Sequence, residues 1–90
     1  MSIQGYDFTV FDFETTGLDP EKDRVIEMAA IRVCDGKIVS EFSTLVNNGP
    51  ISPKITEITG ITNEELQYGM TERTAFQILN RYIGDNILVA

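Results

Sequence analysis

Three features of the sequence predict an α/β fold built on a mixed sheet, with three antiparallel strands, then helices, then a crossover to a parallel fourth strand. Apolar runs rich in Phe, Val and Ile occupy residues 7–13, 24–34 and 37–47, the composition of half-buried or buried strands. Asp35-Gly36 separates the second run from the third, and both residues tolerate the positive φ of a two-residue hairpin turn. Ala75, Phe76, Leu79, Tyr82 and Ile83 then form one stripe at helical spacing ahead of a last apolar run at 87–90. A helix between two strands lets the second strand lie parallel to the first.

In chain order, residues 1–5 read as a short lead-in and 7–13 as the first strand. Residues 15–23 form a loop punctuated by Gly17 and Pro20. The strand over 24–34 is apolar on both faces, with Val25, Ala29, Ile31 and Val33 on one and Ile26, Met28 and Ala30 on the other. That pattern suits an interior strand covered on both sides. Residues 37–47 alternate more loosely and end at Asn48-Gly49-Pro50. Ser52 and Pro53 open a short helix closed by Gly60. Thr62 with Glu65 three residues later makes a capping box for another helical turn. Thr71 caps the longest helix, through about Ile83, and Gly84 to Asn86 break it.

The bulk properties narrow the function. Ninety residues suit one small domain, and 42% hydrophobic content with a mean hydropathy of −0.05 suits a globular chain rather than a disordered one. No stretch is long and apolar enough for a membrane span, so no membrane partner is expected. The single Cys34 allows no intramolecular disulfide and fits a reducing cytoplasm. It ends an apolar run, which favours a buried thiol over a reactive one. A net charge of −7 with 7 basic residues argues against general charge-driven binding to nucleic acid. Grip on only the end of a strand needs fewer phosphate contacts, and bound cations reverse the sign of an acidic site.

The most informative stretch is Thr9-Val10-Phe11-Asp12-Phe13-Glu14-Thr15-Thr16-Gly17-Leu18. Residues two apart in a strand share a face, so Asp12 and Glu14 project together where an apolar strand gives way to a turn. Two like charges there repel and lose hydration, and a divalent cation such as Mg²⁺ or Mn²⁺ relieves both costs. The alternative is a pair of strand-end carboxylates that face water. Spacing alone does not decide, because Asp19, Glu21 and Asp23 repeat it among 14 acidic residues. In their polar context these three read as solvated loop charges.

Asp12-Phe13-Glu14-Thr15-Thr16-Gly17-Leu18, followed by Arg24-Val25-Ile26-Glu27-Met28-Ala29-Ala30-Ile31, resembles the first motif of the DEDD 3′→5′ exonucleases. Within them it is most similar to the proofreading, epsilon-like exonuclease of bacterial DNA polymerase III. The likeness continues through Asn47-Asn48-Gly49-Pro50-Ile51-Ser52 and Thr59-Gly60-Ile61-Thr62-Asn63-Glu64-Glu65-Leu66, nearly the whole chain. It implies a ribonuclease H-like fold and two-metal hydrolysis of the last phosphodiester at a DNA 3′ end, releasing nucleoside monophosphates. Asp12 would be the ligand shared by two Mg²⁺ or Mn²⁺ ions and Glu14 a ligand of the ion that activates water. Thr15, Thr16, Gly17 and Leu18 would cradle the terminal nucleotide, and Ile58 and Thr59 would line its pocket. A histidine commonly stands in relatives where Thr59 stands here, which weakens base stacking at that position. The implied partners are the 3′ end of single-stranded DNA or RNA and a DNA polymerase subunit.

Relatives carry a second motif, a histidine-asparagine run leading to an aspartate, and a third with a histidine and the last aspartate. Neither occurs in these residues, which contain no histidine. Residues 1–90 are therefore expected to be the N-terminal part of a single exonuclease domain, inactive alone. Other readings stay open. Oligoribonuclease-like RNA trimming shares Leu18-Asp19-Pro20-Glu21. A haloacid-dehalogenase-like phosphatase shares the Asp12, Glu14 and Thr16 spacing, although its second acid is Asp. A non-catalytic binding scaffold would need none of this chemistry. For the loop itself, the ordinary structural alternative puts Gly17 at positive φ and Leu18 in the core. Glu27, an acid within an apolar strand, is expected to be structural, as are Phe8, Phe11, Phe13, Phe76, Leu79 and Tyr82.

Overall fold

The computed structural model describes residues 7–89; the lead-in at 1–5 and the end of the last run at Ala90 lie outside them. Seven elements follow in order: β1 (Asp7–Thr15), β2 (Val25–Cys34), β3 (Lys37–Leu45), α1 (Pro53–Thr59), α2 (Asn63–Leu66), α3 (Glu72–Ile83) and β4 (Ile87–Val89). The sheet order is β3-β2-β1-β4. β1 pairs antiparallel with β2, β2 antiparallel with β3, and β4 joins β1 in parallel, with Phe8 opposite Ile87. The expected mixed sheet and crossover are present, in the ribonuclease H-like arrangement.

Local chemistry sets the element ends. Asp35 (φ 52°) and Gly36 (φ 80°) make the β2–β3 hairpin turn with both residues left-handed. Ser52 caps α1 by accepting from Ile55 N–H, and Gly60 closes it at φ 78°. The capping box of Thr62 and Glu65 is formed at α2, and Thr71 caps α3 through Thr74 N–H. Two asparagines replace missing backbone partners in the connections. Asn63 accepts from Ile51 N–H at 2.7 Å and donates to Ile51 O at 3.0 Å, while Asn48 donates to Val25 O at 2.9 Å.

One sheet face is sealed by α3. Ala75 and Leu79 are buried against Met28, Ala30 and Val46, with Phe11, Phe13, Phe42, Tyr82 and Ile83 packed around them. A second cluster, Ile26 with Ile51, Ile61 and Leu66, anchors α1 and α2 beside the sheet end. Arg32 donates to Tyr82 O at the end of α3 and lies 4.9 Å from the Tyr82 ring centroid. A cation there complements the helix C-terminus.

The opposite face departs from the expectation of an interior strand covered on both sides. On β2 Met28 and Ala30 are buried under α3 and Ile26 among the residues of α1 and α2, whereas Ala29, Ile31 and Val33 are only half-buried; Val25, half-buried too, packs against the α3-side cluster. Phe76 also differs from a core residue: it is 40% exposed, on the rim of a cavity with Phe11, Phe13, Leu79 and Leu88. Cys34 is half-buried rather than buried. Its thiol is held above the usual range first by the hydrogen bond and charge of Asp7, its partner across the ladder. Asp7, more than burial, is the cause of the raised thiol.

Candidate active site

The carboxylate pair lies at the end of β1, on the face away from α3. Phe11 and Phe13 stand opposite Ala30 and Met28 and turn into the core. Alternation therefore turns Asp12 and Glu14 outward, opposite Ala29 and Glu27. Asp12 is exposed, and its Oδ1 accepts from Phe13 N–H at 2.9 Å. Glu14 is half-buried. A register shift follows at once, since Glu14 pairs with Glu27 but Thr15 pairs with Val25. Bulges of this kind bend a strand and re-aim its side chains.

Glu27 thus faces Glu14 directly across the ladder. Burial pushes its carboxyl above the ordinary value, reinforced by Glu14, then Asp12, then Glu65. The structural role expected for Glu27 leaves it inside the negative potential of the site. Oxygen donors under mutual repulsion are the donor set a hard divalent cation takes. They do not enclose one. Among the described residues, no group of three or more His, Cys, Asp or Glu comes together closely enough to hold an ion. The fit is in donor type and charge, with the shell left open.

The Thr15–Leu18 loop leaves β1 beside these carboxylates. Thr15 Oγ1 donates to Gly17 O at 2.7 Å. Thr16 Oγ1 donates to Asp23 Oδ1 at 2.9 Å and accepts from Arg24 N–H at 3.0 Å. Both threonine hydroxyl protons are therefore spent within the loop. Neither feature of the ordinary loop alternative holds. Gly17 is not among the left-handed residues. Glycine instead allows a close approach: a Cβ there would lie 2.4 Å from Asp23 Oδ2, and the carboxylate would have to swing out of its bonds to Thr16 and Asp19. Leu18 is not core but 99% exposed.

Asp19 and Asp23, read from sequence as solvated charges, organise this loop. Asp23 Oδ2 accepts from Asp19 N–H at 2.8 Å and Asp19 Oδ1 from Glu21 N–H at 2.9 Å. The available signal was Asp23 standing next to the strand start at Arg24, a position from which a carboxylate can fold back onto a preceding turn. Ile58 and Thr59 lie elsewhere, on the last turn of α1. Ile58 is exposed, while the Thr59 hydroxyl donates to Ile55 O at 2.8 Å and accepts from Ile61 N–H at 3.1 Å. Asp12, Glu14 and residues 15–18 are gathered at one strand end; Ile58 and Thr59 sit on a separate element with the Thr59 hydroxyl engaged locally.

A mixed sheet with a parallel crossover strand, here with an acidic strand end, is a ribonuclease H-like arrangement. The family model described as RNase T, exonuclease, matches residues 9–90, and the chain belongs to this family of DEDD-type 3′→5′ exonucleases. It is 42% identical to the PolC-type DNA polymerase III of Thermotoga petrophila over 99% of this chain and 7% of that protein. It is 45% identical to the DNA polymerase III subunit epsilon of Aquifex aeolicus over 91% of this chain and 41% of the relative. Among solved structures, the nuclease domain of 3′hExo bound to rAMP superposes with a TM-score of 0.75 at 20% identity, over 90% of this chain and 44% of that one. The metal-free complex of E. coli exonuclease I with single-stranded DNA gives 0.70 at 24% identity, over 92% and 20%. These structural likenesses establish the fold. The chain spans less than half the length of each of these relatives.

Proposed function

We propose that these residues form the N-terminal part of an exonuclease domain that removes nucleotides from the 3′ end of DNA during replication. The observation that carries this reading is the carboxylate pair Asp12 and Glu14 at the strand end of a chain so similar to proofreading polymerase relatives. Asp12 and Glu14 would hold Mg²⁺ or Mn²⁺, two ions in the complete domain, which supply activated water and neutralise charge on the leaving oxygen. The chain's own residues do the positioning. Asp12 presents an exposed carboxylate from a rigid strand, and Glu14 flanks it before the bulge. The loop that follows meets the terminal nucleotide, with Leu18 offering an apolar surface to the base and Thr15 Oγ1 free to accept from a 3′ hydroxyl. The internal bonds of Thr15 and Thr16 leave less donor capacity for the sugar than the residue types alone suggest. A role for Ile58 and Thr59 at the pocket rests on their match to the family alone.

The substrate is read as single-stranded DNA, with a DNA polymerase subunit or domain as partner, on the strength of the polymerase III relatives. A cytoplasmic setting agrees with this role and with the unpaired thiol; among the described residues no helix is long and apolar enough to cross a membrane. The test uses the full natural chain with a 5′-labelled oligonucleotide and Mg²⁺. Stepwise shortening from the 3′ end with release of nucleoside monophosphates is expected. Asp12→Asn should keep the circular dichroism of the wild type and lose cleavage. A wild type that leaves the oligonucleotide intact, or an Asp12→Ala variant that cuts it at the normal rate, refutes the reading.

A further inference from the structure

We propose that Asp23 is a positioning residue, which holds the Thr15–Leu18 loop so that Leu18 stands clear of the protein and meets the terminal base. The inference rests on the exonuclease reading above and adds to it the residue that shapes the loop. It begins from Leu18. A leucine side chain in water is drawn onto any apolar surface the backbone lets it reach, yet Leu18 is 99% exposed. Val25 lines the same shallow cavity of about 130 Å³, together with Thr15, Gly17 and Pro20. Something in the loop therefore keeps Leu18 from folding back.

The Asp23 carboxylate is the part that does so. Its Oδ1 accepts from Thr16 Oγ1 at 2.9 Å, on one side of Gly17-Leu18, and its Oδ2 accepts from Asp19 N–H at 2.8 Å on the other. Asp23 N–H donates to Asp19 O at 2.7 Å, which closes the turn. Thr16 is tied a second and third time, to Arg24 N–H through its hydroxyl and to Arg24 O through its own N–H, each at 3.0 Å. Residues 16 and 19 are thus clamped by one side chain, with Gly17 lying against it and Leu18 turned outward. Gly17 belongs to the same device, because any Cβ there would collide with the carboxylate. Both oxygens of Asp23 are turned into the loop, so the residue acts on substrate through Leu18 and not by contact. An anion aimed at a nucleic acid would in any case repel it.

The test is a double-mutant cycle on the full natural chain, with kcat and KM measured on a single-stranded DNA oligonucleotide in Mg²⁺. Asp23→Ala should raise KM about tenfold, because part of the energy of its two charge-assisted hydrogen bonds must then be drawn from substrate binding to order the loop, and leave kcat within about twofold. Leu18→Ala should raise KM about fivefold in the wild type but less than about twofold when Asp23 is already Ala, because the side chain is then misplaced. Asp23→Asn, which keeps the shape and one acceptor, should fall between wild type and Asp23→Ala, and it carries the cycle if the alanine variant does not fold. Additive effects of the two substitutions, or an unchanged KM in Asp23→Ala, overturn the proposal while leaving the exonuclease reading intact. A wild type inactive on 3′ ends overturns both.

Discussion

Replacing Gly69 by alanine tests how the helical half is fastened to the sheet. Gly69 lies between α2 and α3, where the chain runs beside the end of β3. Met70 N–H donates to Leu45 O at 2.9 Å and Asn47 N–H to Met70 O at 2.8 Å, giving a parallel bridge between Val46 and Met70. A Cβ on Gly69 would lie 2.8 Å from Leu45 O, 2.9 Å from Leu45 C and 3.0 Å from Asn47 N. All three are backbone atoms, and none can swing aside as a flexible side chain would. The bridge must open or the strand end must move. Two weakened backbone hydrogen bonds cost about 1–3 kcal/mol together, and forcing a methyl into a packed site adds about 1–3 kcal/mol. Alanine returns about 0.4–1 kcal/mol by restricting the unfolded chain. The net loss is about 3 kcal/mol, or about 15 °C of melting temperature for a cooperative unit of this size. Urea denaturation followed by circular dichroism measures it directly. Gly36→Ala is the internal control. At φ 80° with nothing within 4 Å of its Cβ, it should lose only the left-handed penalty of about 1–2 kcal/mol. If Gly69→Ala matched the wild type, or Gly36→Ala were the more damaging, the fastening assigned to this junction would be wrong.

Three other outcomes are expected. Glu27→Gln should stabilise the protein at neutral pH without divalent ions. The folded-state carboxyl of Glu27 is raised, so its favourable contribution is complete below its ordinary value of 4.5 and is lost as pH rises through the raised value. The advantage of the variant should therefore vanish in acid, and paired urea melts at neutral and acid pH read it; an advantage in acid instead would contradict the assignment. Asp7→Asn should speed alkylation of Cys34 by iodoacetamide at a fixed mildly alkaline pH, because Asp7 is the main cause of the raised thiol. The purified 90 residues alone should release no nucleotides from DNA in Mg²⁺, since two carboxylates from one strand do not enclose a cation; steady hydrolysis by that chain would show that these two carboxylates suffice.

Most of the scaffold was legible because its signals are local. The Asp35-Gly36 turn, the Thr62–Glu65 box and the Ser52, Thr71 and Gly60 caps each rest on chemistry within four residues, and each formed where the sequence placed it. The alternation of β1 likewise separated Asp12 and Glu14 from Phe11 and Phe13. The misreadings share a different origin. Asp23 looks like one more surface acid until Thr16, seven residues back, is folded against it. Phe76 keeps its place on the helical stripe and meets Phe13 edge-on, yet it stays half-open over a cavity that only the fold reveals. The repulsion on Glu27 comes from the opposite strand, a neighbour fixed only by register.

Register also explains why the site and the core stand or fall together. Along β1 the residues that seal the sheet against α3 and the residues that carry negative charge alternate one by one. A slip of a single position would drive Asp12 and Glu14 into the cluster of Met28, Ala30 and Leu79 and expel Phe11 and Phe13. The β1–β2 pairing is pinned at the site end by Thr16 on Arg24, while the left-handed Asp35-Gly36 turn fixes β2 against β3. Between Glu14 and Thr15 the register shifts by one residue on β2. Ile26, released from pairing with β1, gives its carbonyl to Val46 N–H and its side chain to the cluster of Ile51, Ile61 and Leu66. The irregularity therefore has two effects. It bends β2, whose extra residue is Ile26, opposite the second carboxylate, and it places that isoleucine among the residues that seat α1 and α2. The fully buried Ile26 stands at this irregularity, across from the point where the Thr-Thr-Gly loop leaves β1 beside Asp12 and Glu14.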